Sequence, residues 1–214
     1  MTRLRERLER LRTGPARFAL WGVAVALVAA PFAFRPPEET EPVPVLRRLL
    51  GPFANTAANV QWARADHAWR RGRHADGYAL AASALDFAPD APGGWIFLAR
   101  HFAYERAAVE READPALRRL WMQAAFDALD RGAATADGHG ALSFERGVLF
   151  AYLAEVAAAG VVPESERPWR GTPDELYAEA ARAYELAARK GDPDAAEAAS
   201  AARARREELH AHDR

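Results

Sequence analysis

With 214 residues, half of them apolar, and a formal charge of −1, the chain has enough material for one sizeable core and does not have the composition of a disordered polypeptide. It contains no cysteine, which excludes disulfides, thiolate nucleophiles and cysteine-held zinc. The first 17 residues carry six arginines against two glutamates, a net +4, so the remainder carries −5 and offers no overall basic face for nucleic acid.

Residues 18–34, FALWGVAVALVAAPFAF, form an uncharged apolar run between Arg17 and Arg35. As a helix it would reach roughly 25 Å, close to a hydrocarbon core, with Trp21 and Phe34 near the two interfaces. The expectation is an uncleaved transmembrane helix, preceded by a basic tail over 1–17. The arginine excess before the run places the N-terminus in the cytoplasm and the remainder outside it. A cleaved signal peptide and a soluble helix are the alternatives. Residues 35–44 contain four prolines and three glutamates and read as an extended linker.

From Val45 onward the periodicity is helical and no period-two strand stands out. The expected helices cover 45–58, bent at Gly51 and Pro52, then 59–71, 74–87 and 93–110. Asp114 and Pro115 start the next, which runs to Gly132 and is expected to bury one face made of Leu117, Leu120, Trp121, Ala124, Ala125, Ala128 and Leu129. A helix over 141–158 precedes a loop over 160–172. Thr172, Pro173 and Glu175 then supply a cap, a first-turn proline and a capping-box carboxylate. That helix should end at Lys190 and Gly191, and Asp192 with Pro193 should start a last charged one. The helical domain thus spans 45–209, and residues 210–214, with His210, His212 and Asp213, read as a solvated tail.

The stretch GWIFLARHFAYERA places Trp95, Leu98, Ala99 and Phe102 at the spacing W-x2-L-A-x2-F, and Gly77, Ala81, Ala84 and Pro89 precede it in register. This pattern resembles the tetratricopeptide repeat, with alanine in place of the usual glycine and phenylalanine in place of the usual tyrosine. The match is specific over about 58–103. One repeat earlier Gln61 and Ala68 fall where aromatic residues are expected, and a third pair retains Gly147, Phe150, Ala180, Tyr184 and Ala187. The resemblance implies an all-α fold of about three antiparallel helix pairs sharing one core. It makes Trp95, Leu98, Ala99 and Phe102 packing residues.

It also implies a protein-binding groove on the inner face of the first helices, lined by Trp62, Asp66, Trp69 and Arg70 and by Ile96, Arg100, Ala103 and Tyr104. The alternative for Trp62 and Trp69 is packing against the helix that begins near Val45. His101 and Glu105 read as a surface pair rather than two metal ligands, and His67, His74 and His139 have no evident partner. No phosphate-binding glycine loop, nucleophile elbow or HExxH occurs, and Glu164, Glu166, Glu207 and Glu208 read as solvated carboxylates.

The expectation is a membrane-anchored scaffold or chaperone-type assembly factor with a protein or peptide partner. No enzymatic activity, cofactor, metal, nucleic acid or small-molecule ligand is expected. A layout of basic tail, anchor and repeat domain is similar to that of bacterial envelope assembly factors. A structural subunit of a membrane complex is the alternative class, and an enzyme with an unrecognised site a third.

Overall fold

The computed structural model describes residues 45–136, 140–160 and 162–212. The basic tail, the apolar run 18–34, the linker, His139 and Asp213 lie outside the described residues. Among the described residues all regular structure is helical, and no helix is long and apolar enough to cross a membrane.

Helix α1 (Val45–Leu50) passes through a 3-10 turn (Gly51–Phe53) into α2 (Ala54–Arg70). The break therefore falls at 51–53, not between 58 and 59. Gly51 has φ +50° and Pro52 lacks an amide hydrogen, whereas nothing at Ala58 or Asn59 interrupts the helical ladder. Gly72, at φ +72°, closes α2: Arg73 N–H donates to Ala68 and Gly72 N–H to Trp69, the paired bonds of a Schellman motif. The chain then reverses into α3 (His74–Phe87).

Helix α4 (Pro92–Arg100) continues as a wide π-helical turn over His101–Arg106, sealed by Ala107 N–H on Phe102 O. The expected straight helix to residue 110 thus ends early. Helix α5 (Pro115–Thr135) starts as expected, with the Asp114 carboxylate accepting from Ala116 N–H at 2.8 Å. It runs past Gly132, which serves as a contact point rather than a terminator.

Helix α6 (Gly140–Ala158) is followed by α7 (Pro173–Arg189), whose capping box is complete: Glu175 N–H donates to Thr172 Oγ1, and Thr172 N–H to Glu175 Oε2. Gly191, at φ +85°, ends α7 as Gly72 ends α2, and α8 (Ala195–His212) closes the described chain. Its start lies at Ala195 rather than at Pro193.

Consecutive helices form antiparallel hairpins, α2/α3, α4/α5 and α6/α7, with α8 laid along α7. Alanines make the first interface: Ala58, Ala84 and Ala88 at one end, Ala65 and Ala81 near the other. Small side chains let the helix axes approach, and an aromatic ring fills each remaining gap by lying over a glycine. A methyl group on Gly77 would overlap the Trp69 indole. One on Gly132 would sit 2.7 Å from Trp95 Cβ, and one on Gly147 2.6 Å from Tyr184 Cδ1. The larger core, built from α4 to α8, contains Met122, Leu129, Leu142, Leu149, Leu153 and Leu176. Leu98 touches both this core and the α2/α3 cluster. Ala99 is buried and Trp95, Leu98 and Phe102 are half-buried against the core, the packing role that the resemblance implied.

The apolar face expected of α5 is only partly covered. Ala125, Ala128 and Leu129 are buried, but Leu117 is 42% and Leu120 65% exposed, while Arg118 is 1% exposed. The loop before α7 decides this. Its carbonyls take the guanidiniums, Arg118 donating to Glu166 O at 3.0 Å and Arg119 to Ser165 O at 2.7 Å and Arg167 O at 3.1 Å. The apolar arc is wider than the surface laid over it, and cover falls on the shoulder through Arg118, Met122, Ala125 and Leu129.

The glycine notches set an expected outcome. Gly147→Ala should lower unfolding free energy by ~1–3 kcal/mol, because Tyr184 cannot retreat within a packed core. Gly93→Ala, with nothing within 4 Å of its added methyl, should cause no loss. Urea unfolding of the two variants checks this.

Candidate protein-binding face

Side-chain pairs between hairpins fix how the first helices lie. Trp62 meets Phe97 edge to face at 5.3 Å, and Trp69 stacks on His101 at 4.0 Å. Arg100 pairs with Glu145, and Tyr104 meets Tyr152 edge to face at 5.1 Å. In each case a later residue on one helix meets a later residue on the next. Helices α2, α4 and α6 therefore run parallel, side by side, and share a face.

On α2 that face carries Asn55, Asn59, Trp62 and Asp66 at i, i+4, i+7 and i+11. Trp62 packs its inner edge on the Ala58, Ala84 and Ala88 cluster. Gly94 permits this position, since a methyl there would lie 3.0 Å from Trp62 Cζ2. Between Trp62 and Phe97 opens a cleft of about 330 Å3, floored by Ala58, Ala88 and Gly94 and flanked by Asn55 and Asn59. Both asparagines are exposed and bond no other described side chain. No charged residue lines the cleft.

The residues expected on a groove separate into distinct surroundings. Trp69 is 7% exposed and belongs to the core, a correction to its groove role. Its ring lies between Gly77, Tyr78 and His101, so neither Trp69 nor Trp62 packs chiefly against α1. Asp66 and Arg70 pair with each other at the exposed end of α2. Ile96 is half-buried on the larger core, and Ala103 is buried. Arg100 lies on the shared face but is engaged: Nε and Nη2 donate to the two Glu145 carboxylate oxygens at 2.8 and 2.6 Å. Tyr104 is half-buried beside the pair, its phenol pushed up by burial first and then by the Glu145 charge. Tyr184, which also feels the Glu145 charge, is pushed up to about 12 for the same reasons.

Asn55, Asn59, Phe97, Glu145 and Tyr152 complete this face and were not expected there. For Glu145 a signal existed: it interrupts the buried stripe Leu142, Leu149 and Leu153, and a carboxylate at such a position requires a cationic partner. Arg100→Ala should cost about 1–3 kcal/mol by leaving that carboxylate buried without its guanidinium. The double variant with Glu145→Gln should recover part of the loss in the same denaturation assay.

His101 is likewise no surface residue. Its ring is 5% exposed, Nδ1 donates to Glu105 at 3.1 Å and Nε2 has no partner among the described residues. Burial holds this imidazole below its ordinary value near 6.5, Arg106 and His74 act in the same direction, and Glu105 opposes them.

Comparison with protein-family models, with curated proteins and with solved structures finds no significant match. The face offers uncharged aromatic walls and two carboxamides that bond no other described side chain.

The buried imidazole gives a pH dependence of known sign. Because the folded-state pKa is depressed, the unfolded chain takes up the proton at higher pH. The contribution to stability is complete above about pH 6.5 and is lost as pH falls below it. The urea midpoint should fall between pH 7.5 and 5.5, and His101→Phe, which keeps a ring on Trp69, should flatten that slope.

Proposed function

We propose that this chain is a protein-binding scaffold built of tetratricopeptide-like helix pairs. In this reading residues 18–34 hold it at a membrane, the N-terminus lies in the cytoplasm, and the helical domain acts outside it as an assembly factor. The observation that carries the binding role is the uncharged cleft between Trp62 and Phe97 with Asn55 and Asn59 on its rim. An apolar side chain of a partner would enter between the rings. The carboxamides, each both donor and acceptor, would bond the partner's backbone. Asp66, Arg70 and Tyr104 extend the same face and would contribute at its margin, whereas Arg100 would serve it by holding α4 to α6.

A structural subunit of a membrane complex is the second reading. The exposed Leu117, Leu120 and Val109 at and before the start of α5 favour it, since they are apolar and uncovered.

Photocrosslinking in cells tests the choice. A crosslinker at positions 55, 59 or 97 should capture one discrete partner, and Asn55→Ala/Asn59→Ala should abolish capture without changing the thermal midpoint. Capture from positions 117 and 120 alone, resistant to those substitutions, would favour the subunit. Protease protection reads sidedness: digestion of the helical domain from the cytoplasmic side, with the N-terminus protected, would sink the proposed orientation.

A further inference from the structure

The first hairpin has a second cleft on its opposite side. Val60, Ala63, Arg64 and His67 fall at i, i+3, i+4 and i+7 of α2, half a turn or nearly so away from Trp62, Ala65 and Trp69. On α3, Arg73, Asp76 and Leu80 lie away from Tyr78, the residue that meets α5 through Trp121. The two helices enclose an open groove of about 610 Å3 on the outer end of the helical stack.

The two ends of the stack are finished differently. At the far end α8 covers α7, tied by Arg206 and His210 to Asp174 and by Arg203 to Glu185. A stack of helix pairs needs such a polar cap at each end. At the first end α1 is held by Arg47 to Asp90, beside the C-terminal end of α3, and none of its described side chains lines the groove. The groove floor of Val60, Ala63, Ala79 and Leu80 stays open, with Val60 54% exposed.

Its rim is cationic. Arg64 and Arg73 line it against Asp76, and Arg71, at i+11 from Val60, continues that side at the end of α2. Arg73 lies 3.5 Å from Asp76. Arg64 bonds only the neutral Gln61 carboxamide, and Arg71 has no carboxylate partner among the described residues. The amino end of α3, which carries no side-chain cap, adds its dipole to the same region.

We propose that this groove binds an acidic amphipathic segment of a partner protein, seated by its apolar side chains on Val60, Ala63 and Leu80 and paired through its carboxylates with Arg64 and Arg71. A concave groove between two helices fits a helical or extended segment. A flat anionic bilayer would reach the arginines without filling the floor, and a second copy of the chain would set like charges against each other. This surface is separate from the Trp62 cleft, so the scaffold would hold two partners, or two parts of one.

The test uses the full chain in neutral detergent and fluorescence anisotropy. The probe is a labelled helix-forming peptide of about 15 residues, with leucines along one face and glutamates flanking them. Its control has lysine for every glutamate. The glutamate peptide should bind at least about ten-fold more tightly than the lysine peptide and weaken with added salt. Arg64→Glu/Arg71→Glu should weaken binding about ten-fold or more with the circular dichroism spectrum retained, while Asn55→Ala/Asn59→Ala should leave it unchanged. Equal binding of both peptides, or undiminished binding to the charge-reversed protein, would overturn the proposal. So would loss of binding on asparagine substitution, which would move the peptide to the other cleft. Failure of the peptide, with binding of vesicles containing about 30% anionic lipid, would assign the arginines to a membrane surface instead.

Discussion

In each of the three helix hairpins a ring rests on a glycine: Trp69 on Gly77, Trp95 on Gly132 and Tyr184 on Gly147. The interfaces around them consist largely of alanines, which permit close approach but specify register weakly, because one alanine resembles the next. The ring-and-glycine contact supplies the specification. Sliding one helix by a turn would drive an indole or a phenol into a side chain and open a void where it had been. Trp95 is fixed further by its Nε1 donating to Pro89 O at 2.8 Å, and Thr135 Oγ1 donates to the same carbonyl at 3.0 Å. The face shared by α2, α4 and α6 inherits its geometry from these contacts.

The hairpins are then joined by two different kinds of contact. Between the second and third, polar and apolar terms act together: Arg100 is bidentate on a buried Glu145, Phe126 packs on Phe150 at 4.7 Å, and Arg146 pairs with Asp130 while lying over both rings. Between the first and second the joint is almost wholly aromatic. Trp62 and Trp69 meet Phe97 and His101, Tyr78 meets Phe102 and Trp121, and Arg106 covers the Trp121 ring at 4.7 Å.

Much of this architecture could be read locally. Gly72, Gly191, Asp114 and the Thr172 to Glu175 box mark helix ends through chemistry contained within a few residues, and those ends fall where expected. The packing role of Trp95, Leu98, Ala99 and Phe102 was what the repeat resemblance implied, and these residues do pack. What escaped depends on the surroundings of a helix. Leu120 and Arg118 exchange the expected places because a distant loop presents carbonyls to the arginines. His101 is buried because Trp69, 32 positions earlier, lies flat against it. Trp62 and Trp69, seven residues apart on one helix, look equivalent in sequence, yet one faces a cleft and the other the core. Helical spacing assigns residues to a common side without saying how deep each one sits.

The aromatic joint also carries a cost in unpartnered polar atoms, more of them than the Arg118 Nε buried where α5 meets the loop before α7. Trp69 Nε1, Tyr78 Oη and His101 Nε2 are buried there without partners among the described residues. Aromatic pairs contribute about 0.5–1.5 kcal/mol beyond their buried area, whereas each unpartnered buried polar atom costs roughly 1–3 kcal/mol. Part of the packing gain is therefore cancelled at this junction, and the imidazole makes the remainder depend on pH. Hairpin α2/α3 is held by its own alanine interface and glycine notch, so opening the joint need not unfold it. The weakest link in the domain should thus be a hinge between two intact halves. Because Trp62 stands on one side of that hinge and Phe97 on the other, the cleft between them keeps its width only while the joint is closed.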